Sequence, residues 1–272
     1  MKKYELTTNT KMWFGRKLYQ IKALKDFGNV KAGELGGYIE KEENLSHDGI
    51  AWVFGNACVY DNAQVYDDAY VYDNTLIFGN ARVSGNAYVY GNARVFCNAY
   101  VYGNTRVYGD AWVYGSAYVY GNACVYGIAS VYDNACVFDN AYVYGNACVY
   151  NNAEVFDNAQ IFGDTKIYGN ACVFDNAYVY GNVQIYDTTW VHCDAQISNN
   201  ADYICFKGFG SENRNTTMFR TKNGDVYVSC GCFIGSLKAF MDKVKETHGN
   251  TKYAKEYLAC IEVAKIHFEI DE

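Results

Sequence analysis

The sequence predicts a fold dominated by β structure, a parallel β-solenoid between two small end modules, and three observations predict it. Between Ala51 and Asn200 a unit close to Ala-x-Val-Tyr-Gly-Asn recurs twenty-five times without insertion or deletion, as in Ala87-Tyr88-Val89-Tyr90-Gly91-Asn92. The third residue of the unit is Val or Ile in all twenty-five copies. No proline occurs among the 272 residues, and an uninterrupted backbone ladder is where a residue without an N–H is least tolerated. A six-residue unit cannot bury its own apolar side chains, so the chain must coil and stack turn on turn.

Each position of the unit has a physical reason. Alternate side chains of an extended segment point to opposite faces, so the first and third residues face inward. The first is Ala in twenty units, Thr in four (Thr75, Thr105, Thr165, Thr189) and Val once (Val183), small enough for a narrow coil. The third forms a stacked column of β-branched residues that suit strands. The fourth, Tyr or Phe in twenty-two of the twenty-five, faces outward just before a corner, where stacked rings shield the turn or offer a recognition surface. The fifth and sixth, mostly Gly or Asp and then Asn, tolerate the left-handed backbone of a corner.

A corner every six residues leaves a two-sided roll of twelve-residue turns or a triangle of eighteen-residue turns. The second position favours twelve, with Arg82, Arg94, Arg106 and Cys124, Cys136, Cys148 as series; the Phe column Phe138, Phe156, Phe174 favours eighteen. A triangle gives about eight turns rising roughly 40 Å.

Charge divides the chain into three. Residues 1–50 carry nine Lys or Arg against seven Asp or Glu, residues 51–200 four against thirteen, and residues 201–272 ten against ten, so the net charge of −7 belongs to the solenoid. An acidic rod repels phosphate, which argues against nucleic acid as a partner and leaves imitation of a polyanion open. No apolar run is long enough to span a membrane. The start, Met1-Lys2-Lys3-Tyr4-Glu5, lacks a secretory pattern, so a cytoplasmic setting with eleven reduced cysteines is expected. Cys230-Gly231-Cys232 has the wrong spacing for a structural metal and no companion pair, so neither metal nor cofactor is expected.

Residues 1–50 read as a β cap, with a strand at Leu18–Leu24 after a turn at Gly15-Arg16. The following stretch, Asp26-Phe27-Gly28-Asn29-Val30-Lys31-Ala32-Gly33-Glu34-Leu35-Gly36-Gly37-Tyr38, leads through Asn44-Leu45-Ser46 into the first turn. Over residues 16 to about 60 it resembles the opening of an uncharacterised hexapeptide-repeat family of enterobacteria, phages and prophages. The unit itself resembles the hexapeptide repeat of left-handed β-helices. The resemblance implies a left-handed parallel β-helix with three sides, the form preferred here over the two-sided roll, and a bacterial or phage setting. It implies no established activity.

After Asn200 the period breaks. Met218–Lys222 and Val226–Val228 flank Asn223-Gly224, a strong hairpin signal. Ser236 caps a helix bearing Leu237, Phe240, Met241 and Val244 at helical spacing, with Gly249 as its stop, and Asn250 or Thr251 starts a second helix bearing Tyr257, Leu258 and Ile261. This ββαα module, residues 201–272, resembles a C-terminal module recurring in phage and prophage proteins. The resemblance lies in a G-S-x-N-R-x-T-T stretch at Gly210–Thr217 and an E-T-H-G stretch at Glu246–Gly249. The first of these suits a solvated loop, or a site for a phosphate or an acidic side chain.

Three function classes follow. The preferred one is a non-catalytic binding or scaffold protein that contacts a host or phage protein, for instance to inhibit a host defence complex, with the homo-oligomeric state open. Its candidate contacts are Arg82, Arg94 and Arg106, which share a face only in a two-sided coil, together with Arg214 and Arg220. An acyltransferase of the hexapeptide kind needs a His base beside a cleft closed by a long loop. His192 alone lies within the repeats, His47 is a weaker candidate, and no inserted loop is present. The third class is binding of a nucleotide or other small ligand by the C-terminal module.

Overall fold

The computed structural model describes residues 2–270. Each solenoid strand comprises the second and third residues of its unit. It pairs in parallel with the strand eighteen residues away, as Tyr88 with Arg106 and Val89 with Val107. The coil is therefore three-sided, and the two-sided roll is excluded. Face 1 runs from Trp52–Val53 to Gln196–Ile197 in nine strands, and face 3 from Gln64–Val65 to Trp190–Val191 in eight. Face 2, from Cys58–Val59 to Gln184–Ile185, is extended by three N-terminal strands to eleven. Inside, the Ala and Val or Ile columns of the three faces meet in one continuous core, essentially without solvent exposure.

The outside of the rod is held by self-pairing. The fifth residue of nearly every unit has positive φ, whether Gly or one of Asp61, Asp67, Asp73, Cys97, Asp133, Asp139, Asn151, Asp157, Asp175, Asp187 and Cys193. Aspartate suits this strained place because its carboxylate accepts the corner N–H one turn on, as Asp61 from Gly79 at 3.2 Å and Asp175 from Cys193 at 3.0 Å. The sixth residues form asparagine ladders, with Asn80 Nδ2 donating to Asn98 Oδ1 at 2.9 Å and Asn122 to Asn140 at 3.0 Å. The fourth residues stack ring on ring along each edge, as in Phe96, Tyr114, Tyr132 and Tyr150 at 4.8–4.9 Å between centroids. Each such contact is worth roughly 0.5–1 kcal/mol, and repetition makes the sum large.

A solenoid with this polarity has two unlike ends. Each N–H donates to a carbonyl of the next turn, as Trp52 to Ala69 at 3.0 Å, so the first turn leaves carbonyls over and the last leaves N–H groups. At the first turn the fully buried Lys3 supplies donors: its Nζ lies 2.9 Å from Ala51 O and 3.3 Å from Asp48 O. Burial pulls its pKa down to about 8. At the last turn the Asp202 carboxylate accepts from the N–H groups of Ser198 at 2.7 Å and Asn199 at 3.1 Å. A cation thus satisfies the orphan acceptors and an anion the orphan donors.

Residues from both termini extend the rod's core. A hairpin of Tyr4–Trp13 and Arg16–Ala23, turned at Phe14-Gly15 with φ of 47° and 78°, leads to Leu35–Ile39, which joins face 2 alongside Cys58–Val59. At the other end come four antiparallel strands, Tyr203–Phe209, Arg214–Arg220, Val226–Cys230 and Phe233–Ser236, then helices Leu237–His248 and Lys252–His267. The module is therefore ββββαα rather than ββαα. The two strands the sequence hid are edge strands, each containing a glycine, Gly208 and Gly235, that weakens its strand pattern. The expected hairpin forms with a wider loop, Thr221 N–H bonding Asp225 O at 2.9 Å and Gly224 N–H bonding Thr221 O at 2.9 Å. Ser236 and Thr251 cap the helices through Ala239 and Ala254. Met218 enters the module's core and its neighbour Phe219 enters the rod's, so one strand serves both. Among the described residues no helix is long and apolar enough to cross a membrane.

Candidate binding sites

His192 closes an aromatic column. It stacks on Phe174 at 4.6 Å and meets the edge of Phe219, and its side chain is 1% exposed. Its Nε2 is buried without a partner, and burial lowers the pKa of the ring. The imidazole takes the place of the next ring after Phe138, Phe156 and Phe174. A general base must reach its proton, and the module's Phe219 covers this one. His47 is likewise packed, stacked on Tyr4 at 4.3 Å with Nδ1 accepting from Lys3 N–H at 3.2 Å. Asp175, His192 and Cys193 bring their ligand atoms within 4.8 Å of one another, a set that could hold a soft divalent ion. Asp175, however, already bonds the Cys193 N–H at 3.0 Å as a corner aspartate.

The three solenoid arginines do not share a face. Arg82 lies on face 3, Arg94 on face 2 and Arg106 on face 1, because a step of twelve residues in a coil of eighteen moves two faces on. Cys124, Cys136 and Cys148 are spread in the same way. Arg82 lies over the ring of Tyr100 at 5.3 Å and Arg94 over Trp112 at 4.9 Å. With the exposed Tyr88 and Tyr118 they make a girdle around the rod between residues 82 and 118. Arg220 is spent internally: it donates to Phe268 O at 2.6 Å and Gly224 O at 3.3 Å, and lies 3.9 Å from Asp202.

Arg214 is different. It begins the strand Arg214–Arg220, so the expected loop is confined to residues 210–213. Its side chain crosses Gly231, where a Cβ would lie 2.2 Å from Nη1, and Gly231 has φ +59°. The Cys-Gly-Cys triplet is thus a tight turn between paired Cys230 and Phe233, with its glycine opposite an arginine. Gly210 is required in the same manner, since a Cβ there would meet Tyr257 OH at 2.0 Å. Between them opens a cleft of about 310 Å³ lined by Ser211, Arg214, Phe233, Lys243, His248 and Tyr257, among others. The two stretches that resemble phage modules, Gly210–Thr217 and Glu246–Gly249, therefore meet in one cavity, although 28 residues of chain separate them. A second cleft of about 410 Å³ shares Glu212 and Arg214 and reaches Trp190 on the last turn of face 3. Sequence spacing could not place these groups together, because the strand pairing and the helix docking that join them are not periodic.

No family model matches the chain, and no curated protein shows significant similarity to it.

Proposed function

We propose that the chain is a non-catalytic binding protein, a rigid left-handed coil that meets a protein partner through its outward faces and holds a ligand-binding module at one end. The observation that carries this reading is the girdle. Along most of the rod the fourth and sixth residues lie on their own kind one turn away, whereas between residues 82 and 118 cations and rings are interleaved, Arg82 over Tyr100 and Arg94 over Trp112, beside Arg106 and the exposed Tyr88, Trp112 and Tyr118. Tyr, Trp and Arg are the residues on which protein interfaces most often depend. The buried position of His192 speaks against acyl transfer. The resemblance to phage and prophage chains makes a host or phage protein in the bacterial cytoplasm the partner, and inhibition of a host defence complex its role.

The test compares single-face variants with a histidine variant. His192→Phe continues the Phe column and removes the only imidazole of the repeats. It should leave partner capture from host cells intact. Arg82→Glu, Arg94→Glu and Arg106→Glu probe three faces separately, and at least one should weaken capture tenfold or more. Acetyl transfer from acetyl-CoA by the wild type that His192→Phe abolishes would overturn the reading, as would equal capture by all three face variants.

A further inference from the structure

We infer that the C-terminal cleft is a binding site for a small organic phosphate with a flat apolar body, and that Arg214 holds the phosphate. Among the described residues Arg214 has no carboxylate or hydrogen-bond partner, yet it is held in place by lying across Gly231, the one residue type that leaves it room. The other arginine of the module, Arg220, is fully engaged. A positioned, unpaired fork of N–H donors matches the oxygens of a phosphate.

The surroundings extend the match. Across the cleft Lys243 and His248 project from the first helix, and Ser211 adds a hydroxyl, against one acid, Glu212. Lys243 is tied to Glu246 at 2.9 Å, so Arg214 is the principal cation and the site suits one phosphate rather than a polyanion. The inner wall is aromatic: Phe240 and Tyr257 are buried, Phe233 is half-buried, and His248 stacks with Tyr257 at 5.7 Å. Apolar walls with a few convergent polar groups are the usual make-up of a small-molecule site, and the volume lies at the lower end of that range. The cleft on the other side of Arg214, with Trp190 at 48% exposure, gives the flat body a second place to lie. This inference concerns the module alone and stands whichever face of the rod meets a partner.

The experiment is calorimetric titration of the full chain with AMP, adenosine and inorganic phosphate. AMP should bind at least tenfold more tightly than either of its parts. Arg214→Gln should weaken AMP at least tenfold while its melting temperature stays within a few degrees of wild type, since the side chain is exposed and Gly231 is untouched. Lys243→Gln, on an exposed helix face, should weaken AMP by a smaller factor and provides a second variant that folds. Failure of all three compounds to bind, AMP binding no tighter than adenosine, or unchanged AMP affinity in both variants would overturn the inference. None of these results bears on the rod's partner capture.

Discussion

The rod and the C-terminal module bury similar side chains by opposite means. In the rod most groups meet a group of their own kind: Val lies on Val or Ile, ring on ring, Asn on Asn, and corner aspartates such as Asp61, Asp133 and Asp175 on the next corner's N–H. In the module no partner is a copy, and Met218, Phe240, Tyr257 and Ile261 share one core of unlike residues. Self-pairing leaves little over, whereas a non-repeating fold can hold a group such as Arg214 in place without pairing it. The difference teaches where recognition chemistry arises in this chain: in the module, and where the repeat's second position varies.

The comparison breaks most visibly in the core. Val119→Asp would bury an unpaired charge at the centre of the rod and should cost more than about 4 kcal/mol. Denaturant melts followed by circular dichroism should then show loss of the strand signal. Ile261→Asp in the module's core should lose the helical signal first and leave the rod's strands. Equal damage from both variants to both signals would make rod and module one cooperative body.

The ends come next. Deleting residues 201–272 removes Asp202 from the last N–H groups and Phe219 from the rod's core, and exposed strand edges invite association. Light scattering should report aggregates, and a monodisperse truncation would sink the idea that the module protects the rod. Lys3→Met keeps length and apolar bulk but strands the carbonyls of Ala51 and Asp48. It should cost roughly 1–3 kcal/mol.

A subtler effect concerns pH. The folded pKa of Lys3, about 8, lies below its ordinary 10.5, so between these values the unfolded chain binds more protons and stability from this residue rises with pH. Tyr4 acts in the opposite sense. Burial raises its pKa above 10, so its contribution is present below pH 10 and is lost above it as the unfolded phenol ionises. Burial also raises the pKa of thiols such as Cys58, Cys124 and Cys172, which lowers stability as pH passes 9, in wild type and variant alike. The melting temperature of the wild type relative to Lys3→Met should therefore climb from pH 8 toward 10, and a constant difference would assign the effect elsewhere.

How much of this was legible in the sequence follows the same division. Inward Val, outward Tyr and corner Gly or Asp could be assigned residue by residue, because each copy confirms the others. The number of sides was not settled by the repeat: the Arg and Cys series at twelve were misleading, since an outward second position is not obliged to match its neighbour. Phe138, Phe156 and Phe174 carried the true period because position four must stack. His192 drew attention as a lone imidazole, and the Phe column already explained it. In the module the helices and their caps were legible from spacing. The cleft was not, because it depends on Gly231 and Gly210 making room for Arg214 and Tyr257 from distant strands and helices. The one trace of it was the pair of stretches, Gly210–Thr217 and Glu246–Gly249, that the structure brings together.

The central claim is that the repeats form a self-paired rod, varied only at its outward second positions, while the module holds an unspent binding group. Hydrogen exchange on the full chain, with and without AMP, tests it most directly. Amides between residues 63 and 191 should exchange slowly as one block and be indifferent to AMP, while protection by AMP falls on residues 210–216 and 243–248. Protection falling on the rod, or a rod that exchanges as fast as the module, would contradict the account.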